Sequence, residues 1–313
     1  MILYTKPTSF QAASLAGLHR EGAFMALQRK FEAGEFAIIA EMEPPKGVNV
    51  AAMLTHAKRV KERVTAFLVP EMSQAVMRMS ALGAAMLLER DGMETVMQMC
   101  CRDRNRLALQ GDLLAAAACR VRNIAVVGGE DPSYGDHHQA RAVHDVSLLE
   151  LLRVIQGLQG GRDMSGVELD GTPNFLVGST THAGAKGRSA EIEVEEMAQR
   201  AEAGARFFIT PPLFDLELIR PFLRRVDRER TIILPTVLLL KSLGMARYIE
   251  RNMPHMAIPP QIIDRVQKAG DKVRECVRIA VELVAGVKAE GFKGVVLSTL
   301  GWEHKLPDIV EGI

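Results

Sequence analysis

Eight short apolar runs alternating with helical patterns constrain this chain more than any other feature of it. The runs fall at 36–41, 66–69, 95–101, 123–127, 174–179, 206–210, 231–237 and 294–299, and most are rich in Val and Ile. Strands apolar on both faces are buried on both sides, the habit of parallel sheets. Helical periodicity covers 50–64, 78–90, 104–119, 147–158, 191–203, 215–226, 242–252 and 268–290, with a further helical segment at 10–31 ahead of the first strand. Strands alternating with helices make parallel βαβ units, and eight such units close a barrel. The competing doubly wound open sheet announces itself by a Gly-x-Gly-x-x-Gly turn after its first strand, and none is present. The expectation is an α/β fold: a single (β/α)8 TIM barrel domain over 1–313, with 1–35 as a helical segment packed on it. Gly204 is placed to end one helix in the left-handed conformation, Asp215 to cap the next, and Pro259-Pro260 to open another.

Composition narrows the function. A formal net charge of +1 gives no electrostatic reason to bind nucleic acid or an anionic membrane surface. An aromatic content of 5% is small for a base-stacking surface. No apolar run reaches the length of a membrane span, and the apolar opening at 1–4 is too short for a secretory leader. Cys100, Cys101, Cys119 and Cys276 form neither a Cys-x-x-Cys pair nor a zinc spacing, so they read as reduced thiols of a cytoplasmic protein. One of the vicinal pair Cys100-Cys101 is expected to be buried. His137-His138 and His144, beside Asp136, are irregularly spaced for a metal and read as a solvated loop, while His255 and His304 read as surface or packing residues. Sixteen methionines suit an adaptable core or a partner surface.

Chemistry is expected at the C-terminal ends of the strands, where α/β barrels carry their catalytic side chains. The first run ends in Glu41-Met42-Glu43-Pro44-Pro45-Lys46-Gly47. Glu41 and Glu43 share strand parity, so both point to one face and Met42 to the other. One of them is then an inward acid; the bland alternative makes both solvated charges at a strand end. After the third run come Arg102, Asp103, Arg104 and Asn105, at the start of a helix. Cations there oppose the helix dipole, so a nearby anion would rationalise them, against the alternative of a solvated cluster. Gly128-Gly129 after the fourth run lets the backbone approach a ligand ring closely.

Several segments together resemble the methylenetetrahydrofolate reductase family. They are Phe31-Glu32-Ala33-Gly34-Glu35-Phe36, Glu41 with Pro44-Pro45-Lys46-Gly47, Ser73-Gln74-Ala75-Val76-Met77-Arg78-Met79-Ser80 and Cys101-Arg102-Asp103-Arg104-Asn105-Arg106. Ala203-Gly204-Ala205, Leu213-Phe214-Asp215 and Leu297-Ser298-Thr299-Leu300 continue the match. Within the family, the chain is most similar to the branch of anaerobes that use the folate-linked acetyl-CoA pathway. The resemblance implies a (β/α)8 barrel holding a flavin at its C-terminal face, and reduction of methylene-tetrahydrofolate to methyl-tetrahydrofolate by hydride transfer from the reduced flavin. Glu41, three positions before the first proline, matches the family's proton donor and Glu43 does not. Glu130 stands where the family usually has an aspartate near the flavin and pterin, and is the second catalytic candidate. The cofactor-binding positions implied are Gln98, Arg102, Asp103, Arg104, Asn105, Gly128, Gly129, Glu130 and His182, with Arg78, Arg102 or Arg104 meeting a phosphate. The branch favours FMN over FAD, an iron–sulfur partner subunit as electron source, and a homo- or hetero-oligomer.

The chain departs from the family pattern at three further places. The usual Thr-Gln after strand six is Thr210-Pro211, the threonine after strand two becomes Pro70-Glu71, and 238–243 lacks the aromatic that stacks nicotinamide in NADH-using relatives. Proline offers no side-chain hydrogen bond to a pterin. Two alternatives follow: a barrel that binds a folate or a partner protein without turnover, or a flavoenzyme acting on another one-carbon pterin.

Overall fold

The computed structural model describes residues 25–253 and 256–313. Eight parallel strands close into a barrel in sequence order, β1 pairing with β2 on one side and β8 on the other. They are β1 Ala37–Glu41, β2 Ala66–Val69, β3 Thr95–Cys100, β4 Asn123–Val127, β5 Leu176–Thr180, β6 Phe207–Pro212, β7 Ile232–Leu238 and β8 Gly294–Ser298. Around them run α1 Ala26–Ala33, α2 Ala51–Val60, α3 Ala81–Arg90, α4 Arg106–Ala118, α5 Leu148–Gln159, α6 Ala190–Glu202, α7 Arg220–Leu223, α8 Leu243–Asn252, α9 Pro260–Lys268, α10 Lys272–Ala289 and α11 Leu306–Val310.

Alternation along the strands splits the core in two. Ala37, Ile39, Ala66, Leu68, Val96, Ala125, Phe207, Ile209, Leu234 and Val296 form the cluster inside the barrel, while the opposite parity packs against the helices. Gly178 leaves room for the Phe207 ring, which lies 2.2 Å from where a β-carbon would stand. Leu27 and Phe31 of α1 join the inner cluster, with the Phe31 and Phe207 rings 6.3 Å apart. Thus α1 plugs the N-terminal end of the barrel, and burying those two side chains contributes roughly 1.5–3 kcal/mol each. Glu94 anchors the plug by accepting hydrogen bonds from the backbone N–H groups of Ala26 and Leu27, and from Asn123 Nδ2.

The expected strands are all present, with ends shifted by two residues at most. Three expectations are corrected. The helix expected at 215–226 shrinks to a 3-10 turn, Leu216–Leu218, and the four residues of α7, where Pro221 removes a backbone donor. The run at 268–290 does not extend unbroken from 268: Lys268 ends α9, and Asp271 starts α10 by accepting from Arg274 N–H. Both cysteines of the vicinal pair are buried, Cys100 on the inward parity and Cys101 in the helix-facing core. Gly204 takes φ +106°, Asp215 accepts from Glu217 N–H, and Pro260 begins α9. Of the N-terminal helical segment, residues 10–24 lie outside the described residues, as does His255. Among the described residues, no helix is long and apolar enough to cross a membrane.

Candidate active site

The inward parity that fills the barrel continues to its C-terminal mouth as Glu41 on β1, Gln98 and Cys100 on β3, Thr180 on β5, Thr236 on β7 and Ser298 on β8. Glu41 is the one carboxylic acid in this ring. Ser298 Oγ donates to Glu41 Oε1 at 2.7 Å. Enclosure by protein pushes the Glu41 carboxyl up to about 7; the Ser298 bond opposes this, while the Glu43 and Glu303 carboxylates add to it. The residue still keeps a part-exposed edge at the mouth.

Glu43 has a different environment. Arg78 Nε lies 2.9 Å from Glu43 Oε1, and Arg78 Nη1 donates to the Pro44 carbonyl at 3.3 Å. Burial raises the Glu43 carboxyl and the Arg78 charge opposes the rise. The two glutamates that sequence parity left equivalent are therefore distinguished by a cation: Glu43 has one and Glu41 does not.

Gln98 is fixed by the chain next to it. The Glu71 backbone N–H donates to Gln98 Oε1 at 3.2 Å, which identifies that atom as the oxygen and leaves the amide Nε2 as a donor. Glu71 is itself buried, accepting from Ala81 N–H at 2.8 Å and from Arg104 Nη2 at 3.2 Å. Gly129 lies at φ +85°, and a β-carbon there would stand 2.4 Å from Cys100 Sγ and 2.8 Å from Arg102 Cβ. Only glycine fits this approach of the β4 loop to the end of β3.

The arginines after β3 are engaged by protein. Arg102, buried to 1% exposure, gives Nε and Nη2 to the two Asp103 oxygens at 2.7 and 2.8 Å. Its Nη1 reaches the Glu130 carbonyl at 3.3 Å and Oε2 at 3.4 Å, and its Nη2 also reaches the Met72 carbonyl at 3.3 Å. A phosphate held by this fork would have to displace one of these groups. Arg104 pairs with Glu71 and, at 2.8 Å, with Asp112. Asn105 caps α4 by accepting from Ala108 N–H at 3.1 Å. Glu130 is exposed at the end of the Arg102 network. His182 is exposed and lines a cleft with Arg188 and Phe222, its backbone N–H bonded to Glu193 Oε1 at 2.7 Å. The structure thus brings Glu41 and Gln98 to the barrel mouth, gathers Arg102, Asp103, Gly129 and Glu130 into one strut beside it, and places Asn105 and His182 outside that strut.

Sequence reasoning missed Ser298, Cys100 and Thr180 as mouth-facing residues, although their parity with Val296, Val96 and Gly178 carried the signal. It also missed Asp136. That carboxylate pairs with Lys46, accepts from Met77 N–H at 3.0 Å and lies 2.8 Å from His137 Nδ1, joining the loops after β1, β2 and β4. No sequence pattern announced a tie across three loops.

The fold and site define a closed (β/α)8 barrel that carries, at its C-terminal mouth, a carboxyl whose proton affinity burial raises. The family profile described as methylenetetrahydrofolate reductase matches residues 26–313, and the chain belongs to that family. The family makes it an oxidoreductase of folate chemistry, and its proteins are flavoproteins. No curated protein matches the sequence. Among solved structures, 2,3-dimethylmalate lyase, a PEP mutase/isocitrate lyase superfamily member, is similar at 11% identity and TM-score 0.54, over 92% of this chain and 84% of its own. EDTA monooxygenase from Chelativorans sp. BNC1 is similar at 12% identity and TM-score 0.53, over 88% of this chain and 93% of its own. At such identities the likeness is one of fold alone.

Proposed function

We propose that this protein reduces methylene-tetrahydrofolate to methyl-tetrahydrofolate with a bound flavin, and that Glu41 is the proton donor. The observation that carries the reading is the Glu41 carboxyl: inward at the barrel mouth, without a cation partner, and pushed up to about 7. The methylene bridge joins two nitrogens, and opening it to the reactive iminium requires a proton on the departing nitrogen. A carboxyl with its affinity near neutrality both holds that proton and releases it. Gln98 Nε2 would donate to an acceptor on the flavin ring, and Gly128, around whose β-carbon position the space is open, would let the ring lie close to the β4 backbone. The small neutral groups of Cys100, Thr180 and Ser298 suit a planar ring above them. The flavin, when bound, supplies the hydride.

The same reading carries FMN in preference to FAD, electrons from an iron–sulfur partner subunit, a cytoplasmic location, a homo- or hetero-oligomer, and one barrel domain over 1–313. These rest on the branch resemblance and the composition. The experiment is a visible spectrum of the protein purified with its genomic neighbours, followed by anaerobic mixing of the reduced form with methylene-tetrahydrofolate. Reoxidation of the flavin on mixing is the expected result. A protein that binds no flavin after reconstitution would overturn the proposal.

A second reading, action on another one-carbon pterin, is favoured by the end of β6. The register against β7 shifts between Ile209 and Pro212, and Thr210 Oγ1 is spent on the Pro211 carbonyl at 2.7 Å and on Thr236 N–H at 3.1 Å. That stretch offers no side-chain amide to a pterin. Flavin that stays reduced with methylene-tetrahydrofolate yet reoxidises with a different pterin would select this reading.

A further inference from the structure

We propose that Ser298 is a positioning residue for Glu41, its hydroxyl fixing which carboxyl oxygen carries the proton that reaches the substrate. The inference rests on the reading of Glu41 as the acid. The two residues are 257 positions apart and meet at 2.7 Å because β1 and β8 are the strands at which the barrel closes. Their register pairs Ala40 with Leu297, so the next inward-facing position on each strand is Glu41 and Ser298.

The bond has a direction. The serine hydroxyl donates and Oε1 accepts. Among the described residues no other hydrogen bond reaches the Glu41 carboxyl, so Oε2 is left to carry the proton. Ser298 is 5% exposed, which shields the bond from competing water. An acid whose protonated oxygen is fixed needs no rotation before it delivers, and a fixed donor is what general-acid catalysis gains from.

Among the described residues, Ser298 is also the one group holding the carboxyl's proton affinity down. Glu43, from the loop continuing β1, and Glu303, from the segment after β8, both raise it, as does enclosure by the barrel. The nearby cations Arg78 and Lys241 act on Glu43. A bond donated to the ionised form stabilises that form, so its loss shifts Glu41 towards permanent protonation.

The test is an infrared titration of the Glu41 carboxyl band in the wild-type protein, Ser298→Ala and Ser298→Thr, with Glu41→Gln to assign the band. Folate turnover is measured on the same proteins across pH. In S298A the midpoint should rise by about one pH unit, the basic limb of kcat should move with it, and kcat should fall about tenfold with KM little changed. S298T, which keeps the hydroxyl, should restore both. An S298A midpoint equal to that of the wild type would overturn the proposal, and so would an S298A defect that S298T fails to repair, since that is loss of packing. If instead E41Q retains folate reduction, the reading of Glu41 as the acid fails, while the titration still reports whether Ser298 controls that carboxyl.

Discussion

Arg102 and Asp103, neighbours in the chain, close on one another as a two-bond fork, with Nε to Oδ1 at 2.7 Å and Nη2 to Oδ2 at 2.8 Å. Consecutive side chains in a strand point apart, but β3 ends at Cys100, and the turn that follows lets the two meet. The guanidinium then reaches Met72 and Glu130, so a single buried cation ties the loops after β2, β3 and β4. Arg102→Ala should cost about 3 kcal/mol in urea denaturation, the order found when a buried pair loses one partner. Arg102→Lys should recover less than half of that, because an ammonium cannot reproduce the fork. A variant as stable as the wild type would show that the loops are held by other contacts.

At Gly129 a β-carbon meets both backbone strain and a neighbour. The residue sits at φ +85°, with Cys100 Sγ only 2.4 Å from the β-carbon position. Gly129→Ala should destabilise by about 2 kcal/mol, combining the left-handed penalty with overpacking. Cys100→Ala in the same chain should return part of that loss by clearing the sulfur, and thermal denaturation of the single and double variants measures it. Equal losses in the two would place the strain entirely in the backbone and in Arg102.

Glu41→Gln keeps shape and loses the proton. Folate reduction should fall by about 10²–10³-fold, the range of general-acid contributions, with the flavin spectrum unchanged. In the wild-type protein the protonated acid is present below its value of about 7, so turnover should decline as pH rises through that value. Steady-state rates between pH 5.5 and 9, on the order of one unit either side and beyond, check both points. A rate independent of pH across that range would remove Glu41 from the proton-transfer step.

Glu89 governs stability instead of chemistry. It is buried, Oε1 accepts from Thr95 N–H at 2.8 Å and from Thr95 Oγ1 at 2.7 Å, and Oε2 has no partner. Burial pushes its carboxyl from the ordinary 4.5 up to about 7. Between those values the folded state holds a proton that the unfolded state has released, so the stability this group contributes is fully present below about 4.5 and is lost as pH rises towards 7. Glu41 titrates in the same window, and comparison with Glu89→Gln isolates the Glu89 part. Relative to wild type, E89Q should gain about 2–3 kcal/mol in unfolding free energy as pH rises from about 5 to 8. A difference between the two proteins that does not vary with pH would show that Glu89 is ionised when folded.

Much of the scaffold is legible in the sequence. Strand alternation, Val- and Ile-rich runs and the turn after Glu43 are local properties, and local properties survive into the fold: β2 and β4 begin and end where their apolar runs do. Helix extents were less legible, because they depend on caps. Asn105 and Ser80 each accept a backbone N–H and so set the starts of α4 and α3. The arginine cluster was legible as charge but not as partnership. Charge alone points to an anionic ligand, whereas Asp103, Glu130, Glu71 and Asp112 supply the anion from within the chain.

The sequence alone determined that eight parallel strands would close with two glutamates at the end of the first, since hydrophobic periodicity and turn chemistry act over a few residues. The tertiary structure decided which glutamate stays without a cation. Arg78 reaches Glu43 from the loop after β2, and Ser298 reaches Glu41 from the last strand. The proton affinity of a carboxyl is set by burial and by groups within a few ångströms, and barrel closure brings those groups together from distant parts of the chain.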